Sequence, residues 1–298
     1  MNNKLSVIIP SNKEIFLKKT IEELLTKSEE DIEVIAVLDG YYPPADEIIE
    51  DDRLIYLHMG AGGGMRRAIN AGVSIAKGNY IMKIDGHCMV DQGFDKKLKA
   101  DCEENWVVIP RRKRLDAELW TIQDVGKPDV DYEFISFPYW KPDEVGIHGT
   151  IWTERIVARM NDPKYDIDEN PTFQGSCWFT TKKHFENVIG EMQEEGYGSF
   201  IGEPQEISMK TWLSGGKVMT NKKTWYAHLH KGKKYGRGYF IDKKELVAGN
   251  AYSVDYWMND RFPKAIHNME WFVNEKFPDM PTWVPDWKEI CIRNGLIK

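Results

Sequence analysis

The chain reads Tyr80-Ile81-Met82-Lys83-Ile84-Asp85-Gly86-His87, an apolar stretch that ends in a carboxylate, a glycine and an imidazole. The apolar part predicts a buried strand. Around it, strand and helix patterns alternate, with strands at Leu5–Pro10, Ile32–Leu38 and Arg53–Met59 and helices over Glu14–Lys27 and after Gly60–Gly64. This alternation predicts an α/β fold, an open, mostly parallel, twisted sheet with helices on both faces. Ligands of such sheets bind beyond the carboxyl ends of the strands, where Asp39 and Asp85 lie.

The composition is that of an ordinary globular protein. The 298 residues are 42% hydrophobic and 29% charged, which excludes disordered and collagen-like chains. A net charge of −7 argues against tracking a nucleic-acid backbone by bulk charge. No apolar run is long enough to span a bilayer, and the first strand follows without the apolar stretch of a secretory signal. The four cysteines form no CxxC pair, so we expect reduced thiols and a cytoplasmic protein.

The rest of the chain predicts one domain with an extension. Residues 111–170 show no sustained periodicity and are expected to be irregular. Further elements are predicted at Ser176–Thr180 (strand), 182–189 (helix) and Pro204–Leu213 (helix). We assign residues 1–255 to an α/β domain and residues 256–298, rich in Trp and Pro, to a C-terminal extension packed on the core.

Asp85 and His87 form the first candidate metal site. Their side chains face one cation if the backbone turns at Gly86, and Mn²⁺ accepts such a mixture of oxygen and nitrogen ligands. An Asp-Gly pair at a strand end is also an ordinary turn. His228 and His230 share one face of another predicted strand, so both are candidates for the same site unless one of them is structural.

Glu203 and Glu206 are the candidate catalytic acids. They lie three residues apart at the start of the predicted helix Pro204–Leu213 and project from the same side. An acidic first turn is also a routine partner of the helix dipole, and on this motif alone that structural interpretation is the stronger.

Together the motifs resemble family 2 type glycosyltransferases with the GT-A fold. The resemblance rests on Leu5–Pro10, on the Asp39-Gly40 strand end and on the passage from Gly62 to His87. Asp-x-His in place of the commoner Asp-x-Asp is similar to the polypeptide N-acetylgalactosaminyltransferases. Pro171–Phe179 and Gly202–Gly216 resemble two more motifs of that subfamily, the second through Glu203, Glu206, Ser208, Trp212, Gly215 and Gly216.

The resemblance implies a metal-dependent enzyme that moves a sugar from a UDP-sugar to a hydroxyl acceptor. Residues of about 1–110 would form the nucleotide-binding half and about 111–255 the acceptor and catalytic half. The implied cofactor is Mn²⁺ or Mg²⁺, held by Asp85, His87 and His228. Asp39 would meet the uridine and Arg66 the nucleotide, while Trp178, Glu203 and Glu206 would border the sugar and the acceptor. The full donor-binding set is Pro10, Asp39, Arg66, Asp85, Trp178, Lys231 and Arg237.

Lys231 and Arg237 enter this set because they lie on a glycine-rich basic segment after His228. Such a segment is expected to close over the diphosphate and exclude water, unless it is simply a solvated loop. The resemblance implies retention of the anomeric configuration, whereas an inverting enzyme would use Glu203 or Glu206 as a base. Gly175-Ser176 and Gln205 depart from the subfamily pattern, so the identity of the donor sugar does not carry over.

The acceptor is expected to be a glycan, a lipid-linked saccharide, a protein or a hydroxylated base in DNA. For DNA, Arg111–Arg114 and residues 231–237 would form a basic rim around the acceptor cleft. Two other functions are compatible with the fold. One is a non-catalytic nucleotide-sugar-binding module, which the intact set of polar residues argues against. The other is a nucleotidyltransferase, which would carry a glycine-rich loop where this chain has Ser11–Glu14.

Overall fold

The computed structural model describes residues 3–139, 145–236 and 242–298. Its strands are β1 (Leu5–Ser11), β2 (Ile32–Asp39), β3 (Leu54–Met59), β4 (Tyr80–Ile84), β5 (Cys88–Val90), β6 (Trp106–Asp116), β7 (Thr121–Ile122), β8 (Glu133–Ile135), β9 (Gly149–Ile151), β10 (Ile167–Glu169), β11 (Cys177–Thr181) and β12 (Lys217–His228). Its α-helices are α1 (Leu17–Lys27), α2 (Met65–Ile75), α3 (Phe94–Ala100), α4 (Thr153–Arg159), α5 (Lys182–His184), α6 (Glu203–Leu213), α7 (Gly232–Tyr235), α8 (Lys243–Met258), α9 (Met269–Trp271) and α10 (Trp287–Arg293). Short 3₁₀ turns lie at Ala45–Glu47 and Pro163–Tyr165, and π-helical turns at Phe185–Ile189 and Phe272–Lys276.

The main sheet has the strand order β10-β12-β6-β11-β4-β1-β2-β3, with β5 paired to β12 and β7 to β6. β4, β1, β2 and β3 are parallel to one another, and β12 is parallel to β6. β11 lies between these two groups and is antiparallel to both of its neighbours. The structure confirms the predicted α/β fold with a central, mostly parallel sheet.

Two buried cores cover the two faces of this sheet because its strands are apolar on both sides. In β1, Ile8 belongs to one core and Val7 and Ile9 belong to the other, as the alternation of side chains along a strand requires. Each face is closed by an amphipathic helix: α2 contributes Ala68, Ile69 and Val73 to the first core, and α1 contributes Leu17, Ile21 and Leu24 to the second.

Residues 111–170 are more regular than the sequence pattern predicts. β6 continues through Asp116, so the basic run Arg111–Arg114 lies on a strand that pairs with β12. β8, β9, α4 and β10 follow in the same region. The expectation of an irregular region was wrong because Pro110 and the charged run interrupt the alternation of apolar and polar residues that indicates a strand. The strand is stabilised instead by backbone hydrogen bonds to β12, which the side-chain pattern does not predict.

The C-terminal residues pack against the first core. Phe272 and Phe277 are buried in it, and the Phe277 ring contacts the Trp212 ring of α6 with centroids 5.1 Å apart. Residue 256, the first residue of the predicted extension, lies inside α8, so the division into 1–255 and 256–298 stays a prediction. Among the residues that the structure describes, no helix is both long and apolar enough to cross a membrane.

Candidate active site

A cleft of about 1720 Å³ opens at the carboxyl ends of β1, β2 and β4. The three parallel strands end at the same edge of the sheet, which brings residues distant in sequence to one place. From this edge the lining includes Pro10, Ser11, Asp39, Gly62–Gly64, Asp85 and His87. The start of α6, the residues after β12 and one side of α8 also contribute to the lining.

Asp85, His87 and His228 converge in this cleft, and their ligand atoms all lie within 4.8 Å of one another. Asp85 Oδ2 is 3.4 Å from His228 Nε2 and 4.0 Å from His87 Nε2, and the two histidine nitrogens are 3.0 Å apart. β5 pairs with the end of β12, which sets His228 opposite the loop that carries the other two. At Gly86 an added Cβ would meet Glu14 Cγ at 2.8 Å, so this turn has no space for a larger residue.

Glu14 holds His87 from behind. Its Oε2 lies 2.9 Å from His87 Nδ1, and Lys231 forms an ion pair with the same carboxylate. Burial of Glu14 opposes ionisation, but His87 and Lys231 outweigh it and lower the pKa of the carboxyl. With Nδ1 turned towards this carboxylate, the ring of His87 presents Nε2 to Asp85 and His228. This is the arrangement by which proteins orient a metal-binding histidine.

The protonation states of the other two residues also suit a cation. Burial lowers the pKa of His228 to about 4, against the opposing effect of Asp85, so its ring is neutral at pH 7. Burial would raise the pKa of Asp85, but Lys83 and the two histidines hold it well below its usual range. The cluster therefore offers one ionised carboxylate and two imidazole rings, of which that of His228 is neutral, and this mixed oxygen and nitrogen donor set suits Mn²⁺ better than the oxygen-preferring Mg²⁺.

Lys83 is a buried cation at the same site. It projects from β4, is 1% exposed, and its Nζ lies 2.7 Å from Asp85 Oδ1 and 3.4 Å from Glu203 Oε2. Its Nζ also donates to the carbonyl oxygen of Gly175. The ammonium therefore links the candidate metal ligand on one element to the candidate catalytic acid on another.

Glu203 lines the cleft at the first position of α6. Its Oε1 accepts a hydrogen bond of 2.6 Å from Trp178 Nε1, and its Oε2 faces Lys83. Trp178 itself is fully buried and stacks on Phe185, with ring centroids 5.9 Å apart. Trp178 is not among the cleft-lining residues and supports Glu203 from behind, so a contact of its ring with the donor sugar stays a prediction.

Glu206 and Arg66 do not line the cleft, although both were expected there. They form an ion pair with each other, and neither side chain is exposed to solvent. Arg66 also donates from Nε to Ile201 O and from Nη1 to Gln193 O, and Glu206 Oε1 lies 2.6 Å from Lys210 Nζ. The structure therefore places both charges inside the protein, where they neutralise each other, and not among the residues that line the cleft.

Asp39 lines the cleft, but its carboxylate already has partners. Oδ1 accepts from Gly63 N at 2.6 Å and Oδ2 from Gly64 N at 2.9 Å, just before α2 begins. An Asn12 side chain donates to the Asp39 carbonyl oxygen at 2.7 Å. Asp39 thus shapes the glycine loop at the cleft edge, and direct contact with a nucleotide stays a prediction.

The basic residues are largely paired with acids. Lys231 and His230 line the cleft. The ring of His230 contacts that of His228, with centroids 5.3 Å apart, and its Nε2 lies 3.5 Å from Arg112 Nη1. In the predicted basic rim the partners are Asp131 for Arg111 (2.8 Å), Glu133 for Arg112 (3.5 Å), Asp129 for Lys113 (2.7 Å) and Pro128 O for Arg114 (3.0 Å). These pairings reduce the charge that Arg111–Arg114 can offer, and the basic rim around the acceptor cleft stays a prediction. Arg237 lies outside the described residues.

Residues 6–167, more than half of the chain, match the model described as glycosyl transferase family 2. The chain belongs to glycosyl transferase family 2. This membership confirms the resemblance found in the sequence and the GT-A type of fold that it implied.

Relatives of this family 2 chain include bacterial and animal proteins. "Uncharacterized glycosyltransferase EpsJ" from Bacillus subtilis (strain 168) is 36% identical over 110 residues, which cover 35% of this chain and 32% of the relative. Polypeptide N-acetylgalactosaminyltransferase 12 from Homo sapiens is 26% identical over 196 residues, 63% of this chain and 30% of the relative. The chain thus spans about a third of the length of these curated relatives.

A solved structure extends the likeness over nearly the whole fold. The crystal structure of GalNAc-T7 with UDP, GalNAc and Mn²⁺ superposes with a TM-score of 0.70 and 16% sequence identity. The match covers 95% of this family 2 chain and 58% of the GalNAc-T7 chain. At this identity the likeness establishes a shared fold.

Sequence reasoning missed Glu14 and Lys83 as residues of the site. Lys83 carries a signal that was available, since a lysine inside an apolar central strand must find a buried partner. Glu14 follows the end of β1, but its pairing with His87 joins residues 73 positions apart and no local pattern predicts it.

Proposed function

We propose that this chain transfers a sugar from a UDP-sugar to a hydroxyl acceptor, and that the reaction depends on a divalent cation held by Asp85, His87 and His228. One observation carries the proposal: the three side chains converge in the cleft with their ligand atoms within 4.8 Å of one another. Family 2 membership supports a glycosyltransferase. The GalNAc-T7 structure, described with UDP, GalNAc and Mn²⁺, supports the donor class and the metal.

The donor set of this chain fits a cation of the Mn²⁺ type. Glu14 fixes the ring of His87, His228 is neutral near pH 7 and Asp85 is ionised. A bound divalent cation would offset the negative charge that develops on the leaving diphosphate. Magnesium is the second candidate, and the two histidine nitrogens are the reason to rank it lower.

The surrounding residues are proposed to bind and orient the donor. Pro10 and Asp39 border the cleft where the nucleotide would lie, with Asp39 holding the glycine loop. Lys231 lines the cleft while paired with Glu14, and a diphosphate would give it a second anionic partner. The cleft volume of about 1720 Å³ leaves room for donor and acceptor together, because a single small ligand typically occupies about 300–1,000 Å³.

We propose retention of the anomeric configuration. In the described part of the cleft, each lining carboxylate already has a partner: Glu14 with His87, Asp39 with the glycine loop, and Asp85 and Glu203 with Lys83. An inverting reaction needs a free base on the acceptor hydroxyl, and these engaged carboxylates are poorly placed to act as one. In the retaining reaction the acceptor oxygen bonds to C1 of the sugar as the C1–diphosphate bond breaks, and the hydroxyl proton leaves with the diphosphate oxygen.

For the acceptor we propose a glycan, a lipid-linked saccharide or a protein. The hydroxylated DNA base is ranked below these, because the residues expected to contact nucleic acid are paired with acids. The four free cysteines support the proposal of a cytoplasmic setting.

The proposal is tested by incubating the protein with a panel of UDP-sugars, Mn²⁺ and candidate acceptors, and following UDP release. We expect release with at least one donor, its loss in the Asp85→Ala variant, and a product with the donor's anomeric configuration by NMR. Tight UDP-sugar binding without any release would instead indicate a non-catalytic binding module. Formation of a nucleotide-sugar from a nucleoside triphosphate and a sugar phosphate would indicate a nucleotidyltransferase.

A further inference from the structure

Lys83 is a cation that the sheet holds beside the candidate metal site. On β4 its neighbours Met82 and Ile84 belong to one apolar core and Ile81 to the other, so Lys83 shares the face of Ile81. Its side chain is nonetheless 1% exposed, and a buried ammonium is tolerated only where partners surround it. Those partners are Asp85, Glu203 and the Gly175 carbonyl.

The two carboxylate oxygens of Asp85 contact different groups. Oδ1 accepts from Lys83 at 2.7 Å, whereas Oδ2 faces the nitrogens of His228 and His87 at 3.4 and 4.0 Å. Oδ1 is therefore engaged by the ammonium of Lys83, and Oδ2 is the oxygen that faces the two histidines.

From this division we infer that Lys83 is a positioning residue that limits Asp85 to a single ligating oxygen and keeps the affinity for the bare cation low, so that cation and nucleotide diphosphate bind together. The inference rests on the proposed metal-dependent function and deepens it.

The charge balance supports this coupling. Three carboxylates lie in or beside the cluster, and they face two ammonium groups: the carboxylates are those of Asp85, Glu14 and Glu203, and the ammonium groups those of Lys83 and Lys231. The histidines add no negative charge, so the side chains present a divalent cation with only about one unit of net negative charge. A diphosphate would supply the negative charge that is missing, which makes the binding of each favour the other.

The test is calorimetric titration of Mn²⁺ into wild type, Lys83→Met, Lys83→Gln and Lys83→Arg, each without UDP and with saturating UDP. In wild type we expect UDP to tighten Mn²⁺ binding at least tenfold. Lys83→Met and Lys83→Gln should bind Mn²⁺ alone about tenfold more tightly than wild type and lose most of the UDP effect, because a nearby positive charge is gone and Oδ1 is released. Lys83→Arg should resemble wild type.

Lys99→Met is the matched control. Lys99 is also a buried lysine, paired with Glu30 at 3.0 Å, but it lies on α3 and does not line the cleft. We expect it to lower the melting temperature and leave Mn²⁺ affinity unchanged.

Unchanged or weaker Mn²⁺ binding in a folded Lys83→Gln or Lys83→Met protein would overturn the inference and leave Lys83 as a structural counter-charge. If neither variant folds, the wild-type titrations decide: equal Mn²⁺ affinity with and without UDP would overturn it. Failure of the proposed function looks different, since wild type would then bind no Mn²⁺ under either condition.

Discussion

Replacing Glu206 by alanine is expected to destabilise the fold while leaving the turnover of each folded molecule close to normal. Glu206 and Arg66 form an ion pair in which neither side chain is exposed, and Lys210 contacts the same carboxylate. The substitution removes the anion and leaves two buried cations without it. Since Glu206 does not line the cleft, we expect the substitution to lower the free energy of unfolding and not the turnover.

Breaking a buried ion pair by deleting one partner costs about 3–5 kcal/mol, because the remaining charge is uncompensated. For a chain of this size each kcal/mol lowers the melting temperature by roughly 2–4 °C, so we expect a decrease of about 6–20 °C. Glu206→Gln should fall between wild type and Glu206→Ala, since the amide oxygen still accepts hydrogen bonds but carries no charge.

The assay combines urea unfolding with UDP release, normalised to the folded fraction. The matched control is Glu186→Ala, which removes an exposed partner of Lys182 at 3.7 Å and should cost less than about 1 kcal/mol. The reasoning is refuted if Glu206→Ala unfolds at the wild-type urea concentration, or if its folded molecules lose activity as completely as those of a cleft variant.

Three further outcomes follow from the structure. Glu203→Gln should lower turnover by roughly 10²-fold or more with only a small decrease in melting temperature, because the residue lines the cleft, the amide keeps its size and Lys83 retains Asp85 as a charged partner. Normal turnover would make α6 purely structural. Asp39→Ala should weaken UDP binding about tenfold in calorimetry while circular dichroism shows an intact fold. Global unfolding of this variant would mean that Asp39 serves only to hold the glycine loop. Burial lowers the pKa of His184 from 6.5 to about 4, so the folded state prefers the neutral ring. The folded state therefore loses up to about 3 kcal/mol of stability as the pH falls through this range. His184→Gln should flatten this pH dependence in urea titrations, and an unchanged dependence would contradict the prediction.

The sequence predicted the first half of the fold well because its signals are local. Continuous β-branched runs such as Leu5–Pro10 are buried on both faces, and the structure places β1 at Leu5–Ser11. The carboxyl-end rule then located Asp39 and Asp85 at one edge of the sheet without any three-dimensional information. β6 was missed where the local signal fails, since Arg111–Arg114 is stabilised by pairing with β12 more than 100 positions later.

The site was only partly predictable for the same reason. Asp85, His87 and His228 follow from a motif and a resemblance, and the structure brings them together. Helical spacing suggested that Glu203 and Glu206 share a face, but that spacing does not say which neighbours α6 meets. Arg66, 140 positions away in sequence, forms a buried ion pair with Glu206. Trp178 and Lys83 instead hold Glu203 at the cleft.

The central claim is that Asp85, His87 and His228 hold a divalent cation needed for binding the nucleotide. The most direct measurement is calorimetry of UDP with wild type, His228→Ala and the matched variant His230→Ala, each with Mn²⁺ and with excess EDTA. The account predicts that EDTA weakens UDP binding to wild type at least tenfold, that His228→Ala binds UDP weakly in both conditions, and that His230→Ala keeps the metal effect. Equal UDP affinity of wild type with Mn²⁺ and with EDTA would contradict it.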